Sequence, residues 1–265
     1  MASISYKPVV ALVAQTSLNR EGIVEYLKAT GNEEFIETMD SARGAGLSEM
    51  EVLVSMMAKL CYKSLTLGHN SNITRVRDVR SNIEAAIESG HGSVLEHASM
   101  SFIVRDCSRI FTHELVRHRA GTAFSQNSGR YIRLDSIDLV LDPILNPVSN
   151  KIHQLMLYVE REYTQMAEIL GMNKAGLDFA AKKKLTSALR RIAPNGQTNE
   201  IGFTVNLRAL RFTILKRTDR AAEWEIRYAF NQVYKIAKGI VPTLFCDATE
   251  EVVDGLIEVK FANHT

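Results

Sequence analysis

Hydrophobic positions recur along this chain with two different periods, which predict both strands and helices. Strands are indicated by apolar or alternating segments at 9–13, 100–104 and 201–205, and more weakly at 131–140. Helices are predicted where apolar residues occupy every third or fourth position, over 48–60, 75–88, 150–170, 177–191, 206–217 and 221–238. Gly90 is placed to end the second of these helices, and Ser108 to cap a further helix that runs to Arg119.

Length and composition predict one elaborated domain and exclude several classes of protein. A chain of 265 residues with 46% hydrophobic content can bury one sizeable core. The formal net charge of +2 argues against a general nucleic-acid binder, which carries a pronounced basic excess. The three cysteines, Cys61, Cys107 and Cys246, are widely spaced and odd in number, which favours free, buried thiols in a reducing compartment. No apolar stretch has the length of a signal segment or a membrane span, so we expect a cytoplasmic protein with no membrane partner.

One stretch of the chain, 114–131 (ELVRHRAGTAFSQNSGRY), concentrates positive charge in Arg117, His118, Arg119 and Arg130. Crowded cations repel one another, so their usual role is to surround an anion, and a guanidinium binds phosphate or carboxylate bidentately. The alternative is a solvated basic face at the end of a helix, where cations complement the helix dipole. That alternative gives no role to the small hydrogen-bond donors that follow, namely Thr122, Ser125, Gln126, Asn127, Ser128 and Gly129. We therefore interpret the stretch as a nucleotide or phosphate pocket.

Histidines elsewhere do not form a metal-binding pattern. His91, Glu96 and His97 lie within seven residues, but no other cluster supplies matching ligands. His113 and His118 are five residues apart and so do not align on one helix face. We predict no metal site, and capping or core hydrogen bonding is the alternative role for His91 and His97.

The basic stretch and several further segments resemble the flavin-dependent thymidylate synthases, the ThyX family. The signature of that family is Arg-His-Arg followed by a Ser-rich loop that ends in Ser-x-Arg, as in Arg117 to Arg119 and Ser128 to Arg130. Segments similar to other conserved stretches of the family follow in the expected order, at 60–64, 91–97, 190–194, 204–217 and 223–226. The resemblance covers roughly residues 50 to 245, and its specificity comes from several ordered segments rather than from one motif.

The resemblance implies an α/β (α+β) fold with a central mixed sheet and flanking helices, assembled as a homotetramer that binds FAD at subunit interfaces. The implied reaction transfers a methylene group from methylenetetrahydrofolate to C5 of dUMP, and FAD reduced by NADPH supplies the hydride. Arg217 and His91 are the implied catalytic residues. The implied FAD contacts are Ser93, Glu96, Arg117, His118, Arg119, Gln126, Asn206 and Arg208, together with Phe212. The implied nucleotide contacts are Glu114, Arg117, Gln126, Ser128, Gly129, Arg130, Arg190 and Arg217.

This chain departs from the family pattern at several positions. It has one residue more between Arg-His-Arg and the final Ser-Gly-Arg, so we expect the loop around Thr122 and Ala123 to bulge or follow a different path. Glu114 stands where the family usually has Gln, and a carboxylate there must be protonated, turned towards a ribose hydroxyl or paired with an arginine. Phe212 and Ala221 replace polar residues that contact the flavin, which costs about 1 kcal/mol for each lost hydrogen bond unless Phe212 stacks on the cofactor.

Three functions follow from this pattern. The first is a thymidylate synthase acting on dUMP. The second is a related methylase of another uridine nucleotide, such as UMP in a modified-nucleoside pathway, with Glu114 accepting from the ribose 2′-hydroxyl. The third is a nucleotide-binding paralogue without catalysis, against which the retained His91, Arg190 and Arg217 argue.

Overall fold

Helices and strands intermix along residues 4–263, the part of the chain that the computed structural model describes. The strands are β1 (Ile4–Ser5), β2 (Val9–Gln15), β3 (Ser99–Ser108), β4 (Thr122–Gln126), β5 (Leu139–Val140), β6 (Thr198–Asn206), β7 (Ala248–Val253) and β8 (Leu256–Phe261). The α-helices are α1 (Arg20–Ala29), α2 (Glu34–Gly44), α3 (Glu49–Cys61), α4 (Val79–Glu88), α5 (Arg109–Leu115), α6 (Ser149–Ile169), α7 (Phe179–Leu189), α8 (Leu207–Arg217) and α9 (Trp224–Ile240). Short 3-10 helices lie at Gly92–His97, Pro143–Val148, Arg190–Ile192 and Pro242–Phe245. The predicted α/β class is confirmed.

The central sheet has four strands in the order β2-β3-β6-β4, and each pair of neighbours is antiparallel. This corrects the expected mixed sheet. The parallel pairing of the described residues joins β1 to β5 in a separate two-stranded ladder. The physical reason is exposure, because an antiparallel sheet can leave one face open to solvent, whereas parallel sheets are covered on both faces. Ala123, Ser125 and Thr204 are exposed on the outer face of the sheet.

The inner face of the sheet forms the main apolar core with the helices. Met100, Phe102 and Val104 alternate along β3 with more exposed residues and are fully buried. The Phe102 ring stacks on Phe203 of β6 with 5.3 Å between centroids, and Phe203 packs against Phe230 of α9 at 6.3 Å. Burying each of these side chains contributes about 1.5–3 kcal/mol. A smaller cluster around α6 is built from Leu134, Ile137, Leu139, Leu141, Met156, Tyr163, Ala167 and Met172.

Side-chain caps set the ends of the predicted helices. A reciprocal capping box of Ser48 and Glu51 starts α3, and this start agrees with the helix predicted over 48–60. The α4 helix starts later than predicted because Asp78 accepts the backbone N–H of Ser81 at 2.9 Å and fixes the first turn there. Gly90 follows this helix with φ of +69°, so its predicted role at the helix end is confirmed.

The region between 108 and 140 differs from its prediction. Ser108 caps α5 as predicted, by accepting the Phe111 N–H at 3.1 Å. The helix was predicted to run to Arg119 but ends at Leu115. The expected polar loop contains β4, which pairs with β6 in an unbroken register, so the extra residue produces no bulge at Thr122. The strand predicted over 131–140 is reduced to the two residues of β5. Helices α1 and α2 and the hairpin of β7 and β8 were not predicted from the apolar spacing.

Other sequence predictions concern thiols, metals and membranes. All three cysteines are free, but only Cys107 is buried, so the expectation of burial is wrong for Cys61 and Cys246. Residues 4–263 contain no group of three His, Cys, Asp or Glu side chains arranged to hold a metal ion. Among the same residues, no helix combines the length and the apolar character that crossing a membrane requires.

Candidate active site

The Arg117-His118-Arg119 turn forms one wall of a cavity of about 760 Å³, within the range typical of small-molecule sites. The turn lies between α5 and β4, while α8 and the end of β8 supply further walls. The lining combines apolar surface with cations and comprises Glu96, Arg117, His118, Arg119, Ala120, Gly121, Asn206, Arg208, Ala209, Arg211, Phe212, Thr213, Leu215, Phe261 and Asn263. The fold thus brings seven of the predicted cofactor residues to one cavity: Glu96, Arg117, His118, Arg119, Asn206, Arg208 and Phe212.

The cavity carries more positive than negative charge. Arg117 and Arg119 are exposed, and neither forms an ion pair with a carboxylate of the described residues. Arg208 pairs with Glu96 at 2.6 Å, and both side chains are about half exposed. Helix α5 ends at Leu115 with Val116 as its C-cap, so the two arginines lie on the turn that follows the helix and not on a helical face. Unpaired guanidinium groups around a concave surface suit a phosphate or carboxylate ligand.

Gly121 allows this turn to approach α8 closely. Its φ is +68°, and a Cβ at this position would lie 2.4 Å from Nδ2 of Asn206. The Asn206 side chain caps α8 by accepting the N–H of Ala209 at 2.8 Å, and its own backbone N–H donates to the Gly121 carbonyl at 2.9 Å. The cavity wall and the start of α8 therefore depend on the same contact.

A network of three predicted site residues lies next to the cavity. The Nε of Arg217 donates to Nε2 of His118 at 2.8 Å, and another N–H of its guanidinium donates to the Glu114 carboxylate at 2.8 Å. A further N–H donates to the Glu114 backbone carbonyl at 3.1 Å. Of the three possibilities for Glu114, the structure therefore shows pairing with an arginine. These contacts hold Arg217, at the end of α8, against the basic turn.

Burial determines the charge state of this network. Desolvation, with a further contribution from Arg217, lowers the pKa of His118 to about 4, so the imidazole is neutral at pH 7 and accepts from Arg217. Desolvation also raises the pKa of Glu114, against the opposing effect of the Arg217 guanidinium, and Glu223 raises it further. Arg217 is therefore the fixed positive charge of the network.

Phe212 supplies an aromatic wall of the cavity. The residue is 51% exposed and lines the cavity, and its ring packs edge-on against His118 with 6.0 Å between centroids. The exposed part of the ring leaves a surface on which a planar group can stack. Ala221 is also exposed but lies in the connection between α8 and α9, away from the cavity lining.

Two predicted residues lie in a second concavity, of about 460 Å³. His91 and Ser93 line it, at the start of the 3-10 helix Gly92–His97. The Tyr62 hydroxyl lies 3.3 Å from Nδ1 of His91, so the imidazole has a hydrogen-bond partner. Within one chain, His91 is thus separate from the network around Arg217.

The remaining predicted nucleotide residues lie outside both concavities. The backbone of Gly129 packs against Arg190, since a Cβ on the glycine would lie 3.6 Å from Cδ of the arginine. Ser128 Oγ accepts the backbone N–H of Arg130 at 3.4 Å. The Gln126 side chain instead donates to Thr112 Oγ1 at 3.1 Å, beside β4. None of these residues lines either concavity described above.

Arg211 is a lining residue that the sequence analysis missed. Its side chain is 2% exposed and forms a bidentate ion pair, at 2.9 and 3.0 Å, with Asp247, the residue that precedes β7 in the chain. Its guanidinium also lies 4.1 Å from the centroid of the Phe261 ring. The available signal was the helical period, because residue 211 falls on the same apolar face of α8 as Leu207, Leu210 and Ile214.

Comparison with known proteins identifies relatives over most of the chain. The family described as thymidylate synthase complementing protein matches residues 46–243, close to the range of the predicted resemblance. The flavin-dependent thymidylate synthase of Clostridium tetani is 30% identical over 215 residues, covering 77% of this chain and 84% of the relative. The enzyme of the same name from Corynebacterium diphtheriae is 32% identical over 217 residues, covering 79% of this chain and 84% of the relative.

A solved structure supports the fold. The UMP/dUMP methylase PolB from Streptomyces cacaoi, bound with 5-Br dUMP, superposes with a TM-score of 0.55. The match covers 91% of this chain and 94% of the other at 18% sequence identity. At this identity the likeness establishes the shared fold.

Proposed function

The chain belongs to the family of flavin-dependent thymidylate synthases, and we propose that it converts dUMP to dTMP using methylenetetrahydrofolate and NADPH. The methylene carbon of the folate becomes bonded to C5 of uracil while its bonds to the two folate nitrogens break, and a hydride completes the methyl group. The released C5 proton and one proton from water balance the two protons that the folate nitrogens take up. Tetrahydrofolate and NADP⁺ are the other products. The observation that carries the proposal is the cavity with unpaired Arg117 and Arg119 beside the network of Arg217, His118 and Glu114.

The residues of the first cavity fit FAD as the flavin cofactor. Arg117 and Arg119 complement a pyrophosphate, and Phe212 offers a planar surface. When bound, the flavin supplies the hydride, and the protein supplies position and electrostatics. We propose FAD contacts at Ser93, Glu96, Arg117, His118, Arg119, Gln126, Asn206, Arg208 and Phe212.

Arg217 is the residue that we propose faces the uracil ring. Three of its N–H groups are engaged by His118 and Glu114, and the other donors of the fork remain for a substrate oxygen. A positive charge held there favours electron density on the base while C5 forms its new bond, so no protein nucleophile is needed. The proposed nucleotide contacts are Glu114, Arg117, Gln126, Ser128, Gly129, Arg130, Arg190 and Arg217.

His91 is the second proposed catalytic residue. An imidazole suits proton transfer at neutral pH, and its hydrogen bond with Tyr62 fixes the ring. We propose that His91 relays a proton or positions the folate.

We propose a homotetramer with FAD at subunit interfaces. The separation of His91 and Ser93 from the first cavity supports this assembly, because a second subunit would be needed to bring the groups together. The exposed outer face of the central sheet offers surface for such contacts. The three free thiols support a reducing, cytoplasmic compartment.

The test is flavin spectroscopy on the purified protein. FAD is added, the bound flavin is reduced by NADPH without oxygen, and its reoxidation is followed after addition of methylenetetrahydrofolate with dUMP or with UMP. We expect reoxidation that requires both folate and nucleotide and is faster with dUMP. A preference for UMP would assign the chain to the alternative methylase, and failure to bind flavin would refute catalysis.

Matched arginine variants localise the chemistry. Arg217→Gln removes the proposed charge at the uracil, so nucleotide-dependent reoxidation should slow by about 10²–10³-fold while flavin still binds. Arg105→Gln changes a cation of β3 that is 65% exposed and should match the wild type. Equal rates in the two variants would remove the role of Arg217.

A further inference from the structure

The second concavity has a charge that the proposed catalytic roles do not explain. It lies between the end of α3, residues 73–77, α4 and the 3-10 helix that starts at Gly92. Its lining includes Lys59, Arg75 and Arg77, and no Asp or Glu side chain. Such a surface attracts anions.

The two arginines are available to a ligand. Arg75 and Arg77 are exposed, and neither pairs with a carboxylate of residues 4–263. The nearby Asp78 is directed to α4, where its two carboxylate oxygens accept from the N–H of Ser81 at 2.9 Å and from its hydroxyl at 2.6 Å. Two guanidinium groups on one wall can bind a multiply charged phosphate or carboxylate bidentately.

Buried contacts hold this arginine segment in place. Lys59 is 1% exposed, and its ammonium donates to the backbone carbonyl of Arg77. Desolvation lowers the pKa of Lys59 to about 8, a direction that Arg77 reinforces and Asp78 opposes. Burial of the Lys59 ammonium therefore costs desolvation free energy. Its hydrogen bond fixes the carbonyl of Arg77 and the chain beside it.

The opposite side of the concavity is aromatic and contains a proposed catalytic residue. Tyr62 and His91 stack at 28° with 6.3 Å between ring centroids, and their polar atoms are 3.3 Å apart. The carbonyl of Tyr62 accepts from the Asn70 side chain at 2.7 Å, which positions the tyrosine. The concavity therefore combines cations and aromatic surface at the imidazole.

We propose that this concavity binds the anionic tail of a co-substrate, with Arg75 and Arg77 contacting its charged groups while its ring system lies towards His91. The proposal rests on the proposed function, which supplies two co-substrates with such tails. One is the folate, through the carboxylates of its glutamate chain, and the other is NADPH, through its 2′-phosphate. The shared chemistry is a multiply charged anion on an aromatic body.

The test uses fragments that carry only the tails. Isothermal titration calorimetry on the full-length protein, with no flavin or nucleotide added, compares p-aminobenzoyl-triglutamate with p-aminobenzoyl-monoglutamate, and adenosine 2′,5′-bisphosphate with 5′-AMP. The binding variant is Arg75→Gln/Arg77→Gln. The matched control is Arg80→Gln, which changes an exposed cation on α4 that does not line the concavity.

We expect the double variant to bind one of the two charged fragments about tenfold or more weakly, as loss of charge-assisted bonds requires, and the control to bind it like the wild type. Selective loss of the triglutamate fragment identifies the folate tail, and selective loss of the bisphosphate identifies NADPH. Unchanged affinity for both fragments, or an equal loss in Arg80→Gln, overturns the proposal. Fragment binding is measured without flavin chemistry, so a failure of the synthase assay and a failure here are distinguishable.

Discussion

The contact between Gly121 and Asn206 leads to a quantitative prediction. Replacing Gly121 has two costs, the backbone strain at positive φ and the steric contact with Asn206, and a second glycine of the chain allows the two to be measured separately. Gly121→Ala places a methyl group in a backbone conformation with φ of +68° and 2.4 Å from the amide of Asn206. Gly90→Ala has the same backbone problem, at φ of +69°, but no heavy atom lies within 4 Å of its new Cβ. The difference between the two variants therefore isolates the steric contact.

The expected magnitudes follow from the cap. The left-handed conformation costs about 1–2 kcal/mol for alanine in either variant. Displacing Asn206 also breaks its bond to Ala209, and loss of an N-cap costs typically about 1 kcal/mol more. Gly121→Ala should thus be less stable than Gly90→Ala by about 1 kcal/mol, a difference of roughly 2–4 °C in Tm for a domain of this size.

The assay is urea or thermal unfolding at one protein concentration, with Asn206→Ala completing a double-mutant cycle. Once the asparagine is truncated, alanine at 121 has nothing to displace, so the double variant should be about 1 kcal/mol more stable than additivity requires. Equal stabilities of Gly121→Ala and Gly90→Ala, together with additive effects in the cycle, would refute the contact as the reason for glycine at 121.

Three further predictions concern ionisable groups. Asp247→Ala leaves Arg211 buried without its partner and should cost about 3–5 kcal/mol, whereas Asp40→Ala, in an exposed pair, should cost at most about 1 kcal/mol, as measured by urea unfolding. Folding lowers the pKa of His118 from 6.5 to about 4, so its neutral form contributes stability above pH 6.5 that is lost as the pH falls towards 4. The Tm of the wild type should therefore fall more between pH 7 and 5 than that of His118→Gln, and parallel curves would contradict this assignment. Because folding raises the pKa of Glu114, its ionisation opposes folding as the pH rises through the folded value, and Glu114→Gln should keep or raise the Tm at pH 7.

Local periodicity and charge predicted much of the fold and part of the site. They could not predict which distant segments of the chain contact one another. The α3 helix followed from its apolar spacing, and the basic turn followed from the density of cations between Arg117 and Arg119. The edge strand β4 was missed because its sequence, TAFSQ, has polar Thr122 and Gln126 beside Phe124 on its less exposed face and so lacks a clear apolar alternation; its pairing with β6 supplies the missing order. The distribution of His91, Gln126 and Ser128 over separate groups follows from strand pairing and loop paths, which a family motif does not specify.

The α8 helix connects the two ligands of the proposed reaction. Asn206 caps its first turn, Arg208 and Phe212 line the proposed flavin cavity, and Arg217 ends the helix beside His118. Eleven residues at the helical rise span about 16 Å, so the helix acts as a rigid spacer between the cap and the cation. Displacing the Asn206 cap should shift the whole of α8, including the flavin cavity and Arg217. Removing the charge of Arg217 should change only the end of the helix that faces the nucleotide. Gly121→Ala should therefore weaken flavin binding and nucleotide-dependent reoxidation together, while Arg217→Gln should separate the two. A variant of Gly121 that lost only one of these properties would show that α8 does not connect them.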